Sequence, residues 1–213
     1  MVSYQNKGFR FLPTKLIVFT LNVFDRFSLL IVRYNINPNF LSFLGLVSGI
    51  LVGLFYGLNH PLWALVFLVF CGMLDILDGK VAANGNKKTL FGAIFDSSLD
   101  RYSEFFIYLG LGYYYRNHWT LWALAFAFLG STMVSYTRAR AEGLGIDCRI
   151  GVMQRAERIV LLILGTLVGM IFGRFHLVMT VTILLLAAVS NFTAIQRIAY
   201  VFRFEKKNKN LPS

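Results

Sequence analysis

The chain has 213 residues, 57% of them apolar and 16% aromatic, and its mean hydropathy is strongly positive. A single soluble core of this length cannot bury so much apolar surface, so composition excludes an ordinary water-soluble domain. The formal net charge of +11 would suit a polyanion, but on a chain of membrane-length apolar runs a basic surface follows from topology, and no nucleic-acid partner is expected.

In chain order, residues 12–33 intersperse Leu, Ile, Val and Phe with Lys15, Asp25, Arg26 and Arg33 in a helical pattern. Asp25 and Arg26 would sit near mid-bilayer if this segment spanned, so it is predicted as an amphipathic helix in the headgroup layer. It has no small-residue cleavage site after it and is not read as a removable leader. A polar turn over 35–39 follows, with Pro38 placed near a helix start, where its missing N–H costs nothing. Apolar runs then occupy 40–58, 61–82, 89–115, 119–137, 153–173 and 175–204. Each is at or above the roughly 20 residues that cross a bilayer core as a helix. The predicted fold is therefore an all-α integral membrane protein of six transmembrane helices preceded by an N-terminal amphipathic interfacial helix. The corresponding segments are 1–39 (juxtamembrane), 40–204 (six-helix domain) and 205–213 (basic polar tail).

Charge placement orients the spans. With both termini inside, Lys7, Arg10, Lys15, Arg26 and Arg33 are cytoplasmic, as are Lys80, Lys87, Lys88, Arg138, Arg140, Arg149, Arg155 and Arg158, and then Arg203, Lys206, Lys207 and Lys209. Only Arg116 and Arg174 fall at outer turns, while Arg101 and Arg197 lie within helices near the inner face, as the positive-inside rule requires. Outer turns are short, and the longer inner loops, 83–89 and 142–152, carry the polar chemistry. Lys87 and Lys88 read as solvated loop charges. Cys71 falls inside a span and Cys148 in an inner loop, so no disulfide is expected.

Acids inside apolar helices are costly unless paired or metal-bound and read as functional by default. Asp75, Asp78 and Gly79 share one helical face, and Gly92, Asp96 and Asp100 recur every four residues on the next helix. The hairpin brings these faces together. Hard oxygen donors without Cys or His suit Mg2+, Mn2+ or Ca2+ rather than zinc. Small residues Gly79, Ala82, Gly92 and Ala93 allow close approach of helices or ligand. A divalent ion held so can bind a pyrophosphate, and Arg138, Arg140, Arg155, Arg158 and Arg197 can gather into a basic pocket on the same side. Taken singly, those arginines are better explained as positive-inside anchors.

The run D75-I-L-D78-G79-K-V-A82-A83, eight residues, then G92-A-I-F-D96-S-S-L-D100 resembles the signature of the CDP-alcohol phosphatidyltransferases, D-x-x-D-G-x-x-A-R-x8-G-x-x-x-D-x-x-x-D. The family's arginine is Ala83 here, so its contact is either absent or supplied by Lys80 or Lys87. The resemblance implies one or two Mg2+ (or Mn2+) ions held by Asp75, Asp78, Asp96 and Asp100, with Asp100 also acting as general base. It implies a CDP-diacylglycerol donor bound by Pro38, Asn39, Ser42, Asp75, Asp78, Gly79, Ala82 and Gly92. It also implies a homodimer in the bilayer.

S135-Y-T-R138-A-R140-A-E142-G and G151-V-M-Q-R155-A-E-R158 resemble the subgroup that makes phosphatidylinositol phosphate. That resemblance implies inositol phosphate as acceptor, clasped by Ser135, Arg138, Arg140, Arg158 and Arg197, at the cytoplasmic face of a bacterial membrane. Glycerol phosphate is the main rival acceptor, then free inositol or serine. A divalent-cation transporter is the reading of a different class. It is disfavoured because the acids lie toward the inner end and nothing acidic continues a path through the later spans.

Overall fold

The computed structural model describes residues 14–207, with side chains from residue 23 onward. Lys7, Arg10, Lys209, the side chain of Lys15 and positions 208–213 of the predicted tail lie outside these. The described chain is all-helical: α1 (Thr14–Arg33), α2 (Pro38–Gly57), α3 (Pro61–Asn84), α4 (Leu90–Tyr114), α5 (Thr120–Gly143), α6 (Arg155–Ile171) and α7 (Phe175–Lys207).

Local sequence explains where these helices begin. Pro38 and Pro61 open α2 and α3, and the side chain of Asn37 caps α2 by accepting from the Asn39 backbone N–H at 3.0 Å. Thr89 caps α4 through the Gly92 N–H, and Gln154 with Glu157 forms a reciprocal capping box at α6. Asn35, Asn59 and Asn86 adopt positive φ between helices, the conformation that asparagine tolerates best among residues with a Cβ.

Two helices outrun the apolar pattern. α5 continues to Gly143, so Arg138 and Arg140 are helical, and α7 continues to Lys207, taking in the first residues of the predicted tail. Arg, Ala, Glu and Lys are strong helix formers, and a helix does not stop where its hydrocarbon-facing stretch does.

α2, α3, α5 and α7 are long and apolar enough to cross a membrane. α4 has 25 residues but carries Asp96, Asp100, Arg101 and Glu104, and α6 has only 17 residues. Leu54, Phe70, Phe126 and Leu185 point outward from the four apolar helices, an apolar exterior that water would not tolerate.

α2 lies against both α3 and α4, α5 packs along α7, α6 bridges α3 and α7, and α1 docks on α3. The α2–α4 pair is closest. A Cβ on Gly53 would collide with the Phe106 carbonyl, and one on Gly110 with the Gly53 carbonyl, so glycine lets the two backbones touch. Tyr56, Leu68, Leu111, Leu162 and Met179 fill the centre, and the Tyr56 hydroxyl lies 2.6 Å from Thr166 Oγ1. α1 is pinned by polar contacts: Lys80 Nζ and Asn84 Nδ2 donate to Asp25 at 2.7 and 3.2 Å, and Asn84 also donates to buried Ser28 at 2.8 Å.

Candidate active site

The close α2–α4 contact and the short α3–α4 loop set the ends of α2, α3 and α4 side by side. Asp75 and Asp78 project from the last turns of α3, and Asp96 and Asp100 from the first turns of α4. Oxygens of Asp75, Asp96 and Asp100 all lie within 4.8 Å of one another. One Asp96 oxygen is buried with no hydrogen-bond partner. An orphaned buried carboxylate oxygen beside two further carboxylates is what a hard divalent cation would satisfy, so this donor set fits one. Asp78 lies beside this trio, near both Asp96 and Asp75. It is 5% exposed and accepts the Ser42 hydroxyl at 2.7 Å.

Two cavities meet at these acids. The first, about 240 Å³, is lined on the α2 side by Pro38, Asn39 and Ser42, on the α3 side by Asp78, Gly79 and Ala82, and on the α4 side by Gly92 and Asp96. Except for Asp75, every residue expected to bind the nucleotide donor borders it. A Cβ on Gly92 would lie 2.9 Å from Thr89 Oγ1 and 3.2 Å from Asn39 Oδ1, and nothing stands within 4 Å of where one on Gly79 would go. The first glycine permits the α2–α4 junction, while the second leaves the cavity open.

Lys87 and Lys88 also border this cavity; Lys88 is exposed, as a solvated loop charge would be, whereas Lys87 is half-buried and hydrogen-bonded. Lys87 Nζ donates to Asn35 Oδ1 at 2.5 Å and to the Asn35 carbonyl at 3.3 Å, tying the α3–α4 loop to the α1–α2 turn. The left-handed Asn86 folds the loop back over the cavity, a feature that charge patterning alone does not reveal. Ala83 is exposed and does not line the cavity. Of the two candidates to replace its contact, Lys87 is at the cavity, while Lys80 is engaged with Asp25.

The second cavity, about 670 Å³, runs from Asp75 and Asp100 to Ser135, Arg138, Arg158 and Arg197. Arg140 does not line it and is exposed. Residues two apart on a helix face opposite ways, so Arg138 and Arg140 could not both have turned inward. Each inward arginine is held. Arg138 pairs with Glu142 at 2.9 Å, and Arg197 donates to the Ile150 carbonyl at 2.8 Å and to the Val134 carbonyl. Arg158, 2% exposed, pairs with Glu104 through two hydrogen bonds of 2.7 and 3.1 Å. That leaves its Nη1 buried and unpartnered.

Arg101 and Glu104 carried no assigned role on sequence grounds, and Arg155 was expected only as part of the basic pocket. Arg101 lines the cavity and donates to Ser135 Oγ. Arg155 pairs with Asp75 and with Asp100, the latter at 2.7 Å. Glu104 anchors Arg158. Glu104 was discoverable, since Gly92, Asp96, Asp100 and Glu104 continue one four-residue repeat on a single face. Nothing local marked Arg155 as the partner of the aspartates.

The model of the CDP-alcohol phosphatidyltransferase family matches residues 35–193. The chain is 41% identical over 137 residues to an archaetidylinositol phosphate synthase of Methanothermobacter thermautotrophicus, covering 64% of this chain and 68% of that protein. It is 27% identical over 200 residues to a phosphatidylinositol phosphate synthase of Streptomyces avermitilis, covering 87% and 80%. Among solved structures it resembles phosphatidylinositol phosphate synthase of Mycobacterium tuberculosis with CDP-DAG bound, at a TM-score of 0.76 and 25% identity, covering 85% of this chain and 94% of that one. A second structure of that enzyme, in complex with manganese and citrate, matches at a TM-score of 0.75 and 25% identity, covering 84% and 88%. With its signature acids gathered between two cavities and a family match spanning most of its length, this chain belongs to the CDP-alcohol phosphatidyltransferase family.

Proposed function

We propose that the protein transfers the phosphatidyl group, or an equivalent lipid phosphate, from a CDP-linked lipid to inositol phosphate, releasing CMP. The observation that carries this reading is the meeting of the two cavities at the acids. Asp78 and Asp96 border the smaller one, and Asp75 and Asp100 the larger, so a donor and an acceptor seated in them would face each other across the carboxylates. Such placement converts a bimolecular encounter into an oriented one. The similar enzymes differ in their lipid, archaetidyl or phosphatidyl, yet their names share inositol phosphate, which favours that acceptor and leaves the lipid tails open.

In this reading Pro38, Asn39, Ser42, Gly79, Ala82 and Gly92 seat the cytidine end, and Lys87 and Lys88 offset the pyrophosphate charge. Asp75, Asp78, Asp96 and Asp100 hold Mg2+ or Mn2+, with Ser42 orienting Asp78. When bound, the ion supplies charge neutralisation of the pyrophosphate and its leaving oxygen. Ser135, Arg138, Arg158 and Arg197 hold the acceptor phosphate, a dianion that needs counter-charge to approach a second anion. Asp100, at the border of the acceptor cavity, takes the hydroxyl proton as the hydroxyl oxygen bonds to the lipid-side phosphorus. The bond from that phosphorus to the bridging oxygen breaks, and CMP leaves with the electron pair.

For the setting, we read α4 and α6 as spans alongside the four apolar helices, giving six, with α1 lying in the cytoplasmic headgroup layer. Charge bias supports a cytoplasmic site. The acids of α4 face the interior of the bundle and the cavities, where charge in a membrane protein is tolerated.

The test is CMP release from purified protein with CDP-diacylglycerol and Mg2+, offering inositol phosphate, glycerol phosphate, inositol and serine separately, with the lipid product identified by mass. CMP with inositol phosphate alone is expected. CMP with glycerol phosphate alone would keep the aspartate chemistry and reject the acceptor.

A further inference from the structure

Arg155 is the first residue of α6, and its guanidinium sits among the acids. Nη1 donates to Asp75 and lies 2.7 Å from Asp100 Oδ1. These are two of the three carboxylates whose oxygens cluster within 4.8 Å. A divalent ion such as Mg2+ binds carboxylate oxygens at about 2.0–2.1 Å. An ion at that distance from Asp75 and Asp100 would occupy the space the guanidinium now fills, and two cations would repel at such range. Arg155 and the ion are therefore alternatives for the same oxygens.

The displaced side chain can turn further into the larger cavity. Arg155 already borders the 670 Å³ cavity, together with Arg101, Arg138, Arg158 and Arg197. Turning further into that space crowds like charges, which disfavours the move by itself. An anionic acceptor phosphate in the cavity reverses the sign, because a guanidinium then gains a charge-assisted pair instead of a repulsion. A long side chain anchored at a helix start can make the change by rotamer rearrangement alone.

We propose that Arg155 is a movable counter-ion. It neutralises Asp75 and Asp100 until a divalent ion takes them, and it then turns to the acceptor phosphate, so that cation and acceptor bind with positive coupling. Linkage requires the coupling to be reciprocal, with each ligand tightening the other by the same factor. The part concerning the acceptor rests on the reading of the larger cavity given above; competition with the cation does not. Arg155 is thus a positioning residue that reports on the occupancy of one cavity to the other.

The experiment measures Mn2+ binding to the full-length protein by electron paramagnetic resonance, for wild type, Arg155→Gln and Arg155→Lys, with and without inositol phosphate. Removing the competing charge should tighten Mn2+ binding in Arg155→Gln by about fivefold or more, at the lower end of usual coupling factors. Inositol phosphate should tighten Mn2+ binding to wild type by a similar factor and leave Arg155→Gln nearly unchanged. Arg155→Lys keeps the charge but cannot bridge two carboxylates so well, and should be intermediate; it carries the comparison if the glutamine variant does not fold. Equal or weaker Mn2+ binding by the variants overturns the competition, and undiminished coupling in Arg155→Gln overturns the switch. Parallel titrations with glycerol phosphate and inorganic phosphate separate the two readings. Arg155-dependent coupling with these but not with inositol phosphate would sink the acceptor assignment and keep the counter-ion.

Discussion

Replacing Glu104 by Gln removes one charge from a pair sealed inside the bundle. Arg158 is 2% exposed and Glu104 is 8% exposed, so solvent cannot move in to compensate. Two charge-assisted hydrogen bonds, of 2.7 and 3.1 Å, weaken together, and the Arg158 Nη1 group is already buried without a partner. Stranding a buried charge in this way costs about 3–5 kcal/mol. For a chain of this length each kcal/mol corresponds to about 2–4 °C in melting temperature, so Glu104→Gln should unfold about 10 °C below wild type in the same detergent. The double variant Glu104→Met/Arg158→Met removes both charges and fills similar volume, and should regain most of that loss. Because Arg158 also borders the larger cavity, the double variant should still show a raised KM for the acceptor. Fluorescence-monitored thermal unfolding and CMP-release kinetics on the three proteins check this. A single variant within about 2 °C of wild type, or a double variant no more stable than the single, would refute the reasoning.

Asp100→Asn should lower turnover by about 100-fold or more, the usual worth of a general base, while CDP-lipid binding measured by calorimetry changes little. Full activity would remove Asp100 from the proton transfer. Alanine at Lys87 and at Lys88 together should raise the donor KM by about tenfold, equivalent to roughly 1.4 kcal/mol, and flatten its dependence on salt; unchanged donor kinetics would return both lysines to the status of loop charges. Lys80 and Asn84 hold the Asp25 carboxyl below its ordinary range. With the folded value depressed, its contribution is present above the unfolded value of about 3.9 and fades as pH falls through that region. Asp25 is half-exposed and screened, so Asp25→Asn should cost under about 1 kcal/mol, and an unfolding titration showing a larger loss at neutral pH would contradict the exposed geometry.

The amino-acid sequence by itself determined the helical architecture, the α1 helix, the prolines that open α2 and α3, and the faces bearing Asp75, Asp78, Gly92, Asp96 and Asp100. These depend on residue type and on spacing along one helix, which are local properties. Through the family resemblance it also named most of the residues of the smaller cavity, which lie on α2, α3 and α4, but not Lys87 and Lys88. Where partners lie far apart in the chain, only the tertiary structure decided. It set Arg155 on Asp75 and Asp100, Arg158 on Glu104, Arg197 on the backbone of 134 and 150, and the loop lysines at the smaller cavity. It turned Arg140 outward while Arg138 faces in. A guanidinium can pair with any carboxylate within reach of its flexible stem, and which one it meets depends on how closely helices such as α3, α4 and α6 approach. That distance is set by packing, such as Gly72 of α3 lying close against Ile159 of α6, and helical spacing carries no record of it.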